Sequence, residues 1–349
     1  MAMQIPVYPA KPEPGDRVAV VSPASGLPGI LPLPFELGLE RLRDVFGLVP
    51  VEYPTTRKMG SSPAERAADL HAAFADESIK AIVTSIGGDD QITVLKHLDA
   101  DVIRANPKPF FGYSDNTNLH AYLSSLGIVS YYGGAVMTEF GRAGALHPIT
   151  EESLRASLFD SAEFTLRPSP DFTDVNRPWE DPATFDSEPE MFPSEGWIWR
   201  NADSVVNGRT WGGCLEIVAW LAMADLAMPP LDYLDGSVLF FETTEELPPD
   251  EEVFRILRNL GERGILGRCS ALLMGRAKGW SFDKPHDDEQ RRQYVDAQRE
   301  AVIKAMDAYA PGVMTVFNVE CGHTDPMSIL PYGGQITVDG PAREITVRY

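Results

Sequence analysis

The sequence predicts an α/β protein with a parallel β-sheet in its N-terminal part and a smaller mixed α/β unit after it. Three observations support this prediction. The chain has 349 residues, a length that predicts about two domains. Strand-like and helical patterns alternate about five times before residue 135. The strand-like runs are almost wholly apolar, which is typical of parallel strands covered by helices on both faces.

The first elements can be placed in order along the chain. A β-branched apolar run at residues 16–22 predicts the first strand, and apolar residues at helical spacing over 37–45 predict the first helix. Ser61 or Ser62 can cap a second helix over residues 63–75, which begins with proline and is rich in alanine.

Two loops of this part follow the ends of predicted strands. A GGDD loop begins at Gly87, after an apolar strand over residues 79–86, and a GYSDN turn contains Ser114. Parallel α/β sheets bind their ligands beyond the carboxyl ends of the strands. We therefore expect both loops to border the functional site.

Residues 167–201 interrupt the alternation. Proline, acidic and aromatic residues are frequent there, and neither helical nor strand periodicity is present. A long irregular segment within a compact protein is usually a functional loop or a linker. We predict an N-terminal domain over residues 1–166, a linker and substrate loop over 167–203, and a C-terminal domain over 204–349.

The C-terminal part returns to regular elements. An apolar helix begins near Cys214, a strong strand ends at Glu242, and another apolar strand leads into a loop that contains His323. Two short alternating strands around Asp339 and Gly340 predict a β-hairpin at the end of the chain.

Composition excludes several classes of protein. The net charge of −21 repels phosphate backbones and anionic lipids, so we expect neither a nucleic-acid nor a membrane partner. The three cysteines, Cys214, Cys269 and Cys321, form no disulfide framework and no zinc pattern. The first 17 residues lack the apolar core of a signal peptide, and no apolar run is long enough to span a membrane. We therefore expect a cytoplasmic protein.

The turn at Ser114 carries the strongest local signal for chemistry. A strand enters it, Gly112 stands two residues before the serine, and a helix follows. This order is typical of a nucleophile elbow, which presents a side chain above the sheet, but the second glycine of G-x-S-x-G is missing. The alternative is that Ser114 only caps the helix.

A nucleophilic serine needs a base, and that base needs an orienting acid. Of the six histidines, His323 is the best candidate because it follows an apolar strand, although it could instead stabilise a turn. Glu242 ends a buried strand, where a carboxylate needs a partner. Gly87 and Gly88 can supply an oxyanion donor or form an ordinary turn.

Other chemistries have less support. Dinucleotide-binding, P-loop and HExxH patterns are absent, so we expect no cofactor and no metal. Asp89, Asp90 and Asp115 could bind a cation, but acidic loops are usually only solvated. With 51 acidic residues, a glycosidase that uses a pair of carboxylates remains an alternative.

Six blocks in order along the chain resemble the LD-carboxypeptidase family of serine peptidases, from about Gly15 to the C-terminus. They are GDRVAVVSPAS, IVTSIGGDD, FFGYSDNTNLH, WGGCLEIV, VLFFETTEE and ECGHTDP. The resemblance implies a flavodoxin-like N-terminal domain, a homodimer and a catalytic triad. In that triad Ser114 is the nucleophile, His323 the base and Glu242 the orienting acid. The N–H groups of Asp115, Gly87 and Gly88 would form the oxyanion hole.

Two branches of the family differ in substrate. One removes the terminal D-alanine of murein tetrapeptides, and the other resembles microcin C immunity proteins, which cleave an amide of a peptidyl or aminoacyl nucleotide. The latter has a longer insertion with an aromatic residue that stacks on the base. Trp197 and Trp199 lie in such a segment here, so we expect them to bind substrate, with packing of the loop as the alternative.

Departures from the pattern concern the substrate more than the triad. The acidic pair Glu245 and Glu246 stands where one branch has a basic residue that holds a substrate carboxylate, and Glu320 precedes the histidine loop. We predict a serine hydrolase for an aminoacyl or peptidyl nucleotide, used in immunity to a microcin-like antibiotic. The alternatives are a murein LD-carboxypeptidase and a non-catalytic aminoacyl-nucleotide-binding protein.

Overall fold

The computed structural model describes residues 6–349, and its strands form two large sheets that share one continuous hydrophobic core. Residues 1–5 lie outside the described part. They belong to the first 17 residues, for which the sequence predicts no signal peptide. Within residues 6–349, no helix combines the length and the apolar character needed to cross a membrane.

The first sheet is built from the N-terminal alternation of strands and helices. Five parallel strands have the order β2-β1-β3-β4-β5, which is the flavodoxin-like order that we predicted. The elements are β1 (Arg17–Val21), α1 (Pro32–Asp44), β2 (Val49–Glu52), α2 (Pro63–Ala75), β3 (Ile79–Thr84), α3 (Ala100–Ala105), β4 (Phe110–Gly112), α4 (Thr117–Ser125) and β5 (Ser130–Tyr132).

Local sequence explains where α2 begins. The Ser62 side chain accepts the N–H of Glu65, and the Glu65 carboxylate accepts the N–H of Ser62. This reciprocal capping box satisfies two donors that a helix start would leave free, and Pro63 needs no acceptor in the first turn. The predicted second helix is confirmed, with Ser62 as its cap.

The segment after the first sheet is mostly irregular but contributes short strands. A π-helical turn at Val136–Phe140 leads to α5 (Pro148–Phe159). The strands are β6 (Glu163–Leu166), β7 (Asp171–Phe172), β8 (Phe192–Pro193) and β9 (Ile198–Arg200). Strands β7 and β8 form a small hairpin-like pair inside the predicted substrate loop.

The second sheet has eight strands with a parallel centre. The remaining elements are β10 (Val205–Cys214), α6 (Leu215–Ala224), β11 (Val238–Glu242), α7 (Asp250–Glu262), β12 (Ala271–Gly275), α8 (Asp288–Tyr309), β13 (Met314–Val319), β14 (Leu330–Tyr332), β15 (Gln335–Asp339) and β16 (Glu344–Arg348). Strands β10 to β13 are parallel, and β15 and β16 form the predicted C-terminal hairpin.

Strands cross between the two sheets in both directions. β6 precedes the predicted boundary at residue 166 but pairs with β16 of the second sheet. β14 belongs to the C-terminal part but pairs with β5 of the first sheet. The second sheet has eight strands and the first has six. The domain bounds drawn from sequence remain a prediction.

Candidate active site

Ser114 lies at the sharp turn between β4 and the short 3-10 helix Ser114–Asn116, which runs directly into α4. Its backbone φ of +61° is in the left-handed region, a strained conformation that is found at functional turns. A Cβ atom on Gly87 would lie 2.9 Å from the Cβ of Ser114, so only glycine allows the neighbouring loop to approach so closely. The turn presents the hydroxyl to a cavity between the two sheets.

His323 and Glu242 reach this hydroxyl from the second sheet. The Nε2 atom of His323 is 3.1 Å from Ser114 Oγ, and its Nδ1 atom is 2.7 Å from Glu242 Oε2. His323 follows β13, whereas Glu242 is the last residue of β11. The three predicted residues thus form one continuous hydrogen-bonded series, with the geometry that a serine nucleophile, a base and an orienting acid require.

The Glu242 carboxylate is fully buried, and both of its oxygens have partners. Oε2 accepts from His323, and Oε1 accepts the hydroxyl of Tyr132 at 2.6 Å. These bonds offset the cost of burying the charge. Gly322, which directly precedes His323, has a φ of +111°, and a Cβ atom on it would lie 2.6 Å from Glu242 Oε2. Glycine is therefore required for this approach.

Tyr132 also contacts this series of residues, although no local sequence pattern marks it. Its oxygen lies 3.3 Å from the N–H of Ser114 while its hydroxyl donates to Glu242. Burial raises the pKa of the phenol well above 10, and the neighbouring carboxylate adds to this shift. The neutral tyrosine therefore links the turn at Ser114 to Glu242, and in the sequence only its place at the end of β5 could have marked it.

A second carboxylate contacts the histidine. Oε2 of Glu245 lies 2.9 Å from His323 Nε2, which is also the nitrogen that faces Ser114. Burial by itself would lower the pKa of His323, but the carboxylates of Glu242 and Glu245 outweigh it and raise that pKa well above 6.5. In turn, although desolvation opposes the change, the pairing with His323 lowers the pKa of Glu245 to about 2.

The predicted oxyanion donors lie beside the nucleophile. Gly87 and Gly88 line the cavity, and Asp115 follows Ser114 at the start of the helix, where backbone N–H groups favour negative charge. The Asp115 side chain has a structural role, because it accepts the N–H of Gln91 at 2.9 Å and the amide of Asn118 at 2.8 Å. Burial raises its pKa to about 6.

The cavity has a volume of about 470 Å³, within the range of roughly 300–1,000 Å³ that is typical of small-molecule sites. Its walls come from both sheets and from the segment around residues 173–189. Among the described residues, no cluster of histidine, cysteine and acidic side chains is arranged to hold a metal ion. Asp90, one of the acids considered above, is paired with Arg66 at 2.6 Å.

The structure places the two predicted substrate tryptophans elsewhere. Trp197 donates its ring N–H to the buried Glu320 at 2.7 Å, and Trp199 lies in β9, paired with Val316 of β13. Neither residue lines the cavity, so the alternative of packing describes them better. The tryptophans on the cavity wall are Trp179 and Trp220. Trp179 lies in the predicted substrate loop, whereas Trp220 lies on α6.

Comparisons with known sequences agree with this architecture. A sequence model described as the LD-carboxypeptidase N-terminal domain matches residues 18–133, and one described as the LD-carboxypeptidase C-terminal domain matches residues 207–338. A "probable murein peptide carboxypeptidase" of Bacillus subtilis (strain 168) is 33% identical over 271 residues, which are 74% of this chain and 72% of the relative. The microcin C7 self-immunity protein MccF of Escherichia coli is 28% identical over 287 residues, 81% and 78% of the two chains.

Solved structures show the same fold over nearly the whole chain. An MccF-like protein from Streptococcus pneumoniae in complex with AMP has a TM-score of 0.83 and 26% identity, over 96% of this chain and 99% of that one. MccF in complex with aspartyl sulfamoyl adenosine has a TM-score of 0.85 at 23% identity, over 99% of each chain. The predicted two-part α/β architecture is therefore confirmed.

Proposed function

The chain belongs to the LD-carboxypeptidase family of serine peptidases, and we propose that it hydrolyses an amide bond of a peptidyl or aminoacyl nucleotide. The observation that carries the proposal is the hydrogen-bonded series from Ser114 through His323 to Glu242 at the floor of the cavity. In this role the protein inactivates a microcin-like antibiotic. No cofactor enters the proposed chemistry.

The geometry suits acyl transfer through a covalent intermediate. Ser114 Oγ attacks the scissile carbonyl while His323 Nε2 takes the hydroxyl proton, and Glu242 stabilises the imidazolium. The N–H of Asp115 and the loop at Gly87 face the oxygen on which negative charge develops. His323 then protonates the leaving amine, and water attacks the acyl-enzyme with His323 as base again.

Aromatic side chains on the cavity wall support a nucleotide as part of the substrate. Trp179 and Trp220 are half-buried and line the cavity that contains Ser114. Stacking on an aromatic ring contributes about 1–3 kcal/mol per base and accepts different bases. An MccF-like relative was solved with AMP, and MccF with an aminoacyl sulfamoyl nucleoside. We place the nucleobase of the substrate against these two tryptophans.

A murein tetrapeptide LD-carboxypeptidase is the second candidate. A relative that bears a murein peptide carboxypeptidase name is 33% identical to this chain. The proposed serine chemistry would be the same, and the substrate would be a peptide that lacks a base to stack.

Purified wild type and Ser114→Ala should be incubated with an aminoacyl-sulfamoyl adenosine and with a murein tetrapeptide, and the products measured by mass spectrometry. We expect wild type to cleave the adenosine conjugate and Ser114→Ala to leave it intact. Ser125→Ala is the matched control, since Ser125 is an exposed serine at the end of α4.

Other outcomes distinguish the alternatives. Release of D-alanine from the tetrapeptide, without cleavage of the adenosine conjugate, would identify a murein LD-carboxypeptidase. Tight binding of the conjugate without cleavage, equal in wild type and Ser114→Ala, would identify a binding protein and refute the hydrolase.

A further inference from the structure

Two oxygen atoms compete for one nitrogen of the proposed catalytic base. The Nε2 atom of His323 is 2.9 Å from Glu245 Oε2 and 3.1 Å from Ser114 Oγ, while its Nδ1 atom is engaged by Glu242. A carboxylate accepts hydrogen bonds only, so the contact with Glu245 exists only when Nε2 carries a proton. A protonated Nε2 cannot accept the proton of Ser114. The contact and the action of His323 as a base therefore exclude each other.

The surrounding charges favour the protonated histidine. The titratable and charged side chains that face His323 or Glu245 are Tyr113, Glu242 and Lys278, and Glu139 and Asp325 lie one step further out, beside Tyr113 and Lys278. Carboxylates outnumber the single ammonium group in this set. Burial lowers the pKa of His323, but the carboxylates of Glu242 and Glu245 outweigh this effect and raise it well above 6.5. Glu245 must withdraw before Ser114 can be deprotonated.

The Glu245 side chain is half-exposed, and the cations on the cavity wall already have hydrogen-bond acceptors. The side chain of Glu245 is 53% exposed, on the loop after β11. Within residues 6–349, the cations that line the cavity have other acceptors. Lys278 donates to the Asp174 carbonyl and Asn176, Arg142 is paired with Asp325 and Glu188, and Arg177 donates to the Ser187 carbonyl. A positively charged group of the substrate therefore offers Glu245 a partner that has no other bond to give up.

We propose that Glu245 is a specificity-determining residue, which selects substrates with a positively charged group next to the scissile carbonyl. The inference rests on the proposed function. An ammonium group of the substrate forms an ion pair with the Glu245 carboxylate in place of His323, and the Nε2 proton of His323 passes to water. Nε2 then accepts the Ser114 proton as the bond from Oγ to the carbonyl carbon forms.

Two fluorophosphonate probes test this without knowledge of the natural substrate. One carries a neutral alkyl group near phosphorus, and the other an ammonium group of matched size. Labelling of Ser114 forms the Oγ–P bond and releases fluoride, and intact-mass spectrometry gives its second-order rate. We expect wild type to react about tenfold faster with the cationic probe, and Glu245→Gln to react with both within about twofold.

Glu246→Gln is the matched control, because it removes the same charge from the same loop. The Glu246 backbone, rather than its side chain, makes the local contacts, since Lys284 donates to its carbonyl and its N–H lies 3.4 Å from Thr244 Oγ1. We expect this variant to keep most of the preference. Equal loss of preference in both variants would show a general field effect and overturn the role of Glu245.

The pH profile with the neutral probe gives a second readout. Removal of one carboxylate lowers the pKa of His323, so the acid limb should move down by about one pH unit in Glu245→Gln. If thermal melting shows that Glu245→Gln is unfolded at the assay temperature, Glu245→Asp is used in its place. We expect the shorter carboxylate to shift the acid limb while some cation preference remains. An unmoved limb in a folded variant would refute the competition for Nε2.

The results also separate this inference from the proposed function. Labelling of wild type at equal rates by both probes would overturn the role of Glu245 and leave the serine hydrolase intact. Failure of both probes to label Ser114 would overturn the hydrolase itself.

Discussion

Glu242→Gln tests how the second sheet fixes the tautomer of His323. In the wild type one carboxylate oxygen accepts from Tyr132 at 2.6 Å and the other from His323 Nδ1 at 2.7 Å. The N–H of Ser114 already faces the Tyr132 oxygen at 3.3 Å, so the Tyr132 proton points to residue 242. The single oxygen of glutamine therefore remains with Tyr132, and its NH₂ group faces Nδ1. His323 must then carry its proton on Nε2, where it cannot accept one from Ser114.

We expect kcat/KM of this variant to fall about 10³–10⁴-fold, which is about 4–5.5 kcal/mol at roughly 1.36 kcal/mol per factor of ten. Adding Tyr132→Phe removes the donor that fixes the amide, so the glutamine can turn its oxygen to His323. The double variant should recover about tenfold over Glu242→Gln. The assay is the cleavage described above, or the rate of fluorophosphonate labelling.

Glu320→Gln is the control for this experiment. Glu320 is also a buried carboxylate, bonded to the Ser169 N–H and to Trp197 at 2.9 and 2.7 Å, but it does not line the cavity. Its replacement should lower the thermal midpoint with little change in the rate of the folded protein. A loss of less than tenfold in Glu242→Gln would refute the orienting role. A double variant no faster than the single one would refute the argument from Tyr132.

Four further variants test other parts of the structure. Gly87→Ala places a methyl group 2.9 Å from the Cβ of Ser114, and we expect about a hundredfold loss of labelling at a thermal midpoint near that of wild type. Trp179→Ala should raise KM for the adenosine conjugate about tenfold, as loss of about 1–3 kcal/mol of stacking predicts, whereas Trp197→Ala should leave KM unchanged. Burial raises the pKa of Glu139 from 4.5 to about 7. The folded protein therefore binds the carboxyl proton of Glu139 more tightly than the unfolded chain does. The free energy of unfolding falls by about 3 kcal/mol as the pH rises through this range. The thermal midpoint of Glu139→Gln should therefore fall less than that of wild type between pH 5 and pH 8.

Local patterns in the sequence predict local structure well in this protein. The helix capped by Ser62 and the hairpin around Asp339 follow from side chains that lie close together in the chain, and both are present. The nucleophile turn is similar, since Gly112 and Ser114 are two residues apart. Patterns of this kind need no knowledge of distant partners, which is why a single sequence reveals them.

Contacts between residues that are far apart in the sequence leave no such local pattern. Nothing near Tyr132 in the chain indicates that it meets Glu242, because the contact depends on how two sheets pack. The family resemblance implies that an aromatic residue of the loop stacks on a nucleobase, and we expected Trp197 in that role, but its ring N–H donates to the buried Glu320. An aromatic residue in an irregular segment does not reveal its partner, and so nothing in the sequence shows that Trp179 and Trp220 line the cavity whereas Trp197 and Trp199 do not.

The crossing strands explain how the three residues of the proposed triad, which come from two sheets, keep their geometry. The loop that carries His323 is held at one end by β13 of the second sheet and at the other by β14, which pairs with β5 of the first. In that pairing Leu330 lies opposite Tyr132, the residue that donates to Glu242. The same strand pair thus positions both His323 and Tyr132, the partner of Glu242, relative to Ser114. A shift between the sheets would disturb both contacts together, so neither half of the chain should form the site without the other.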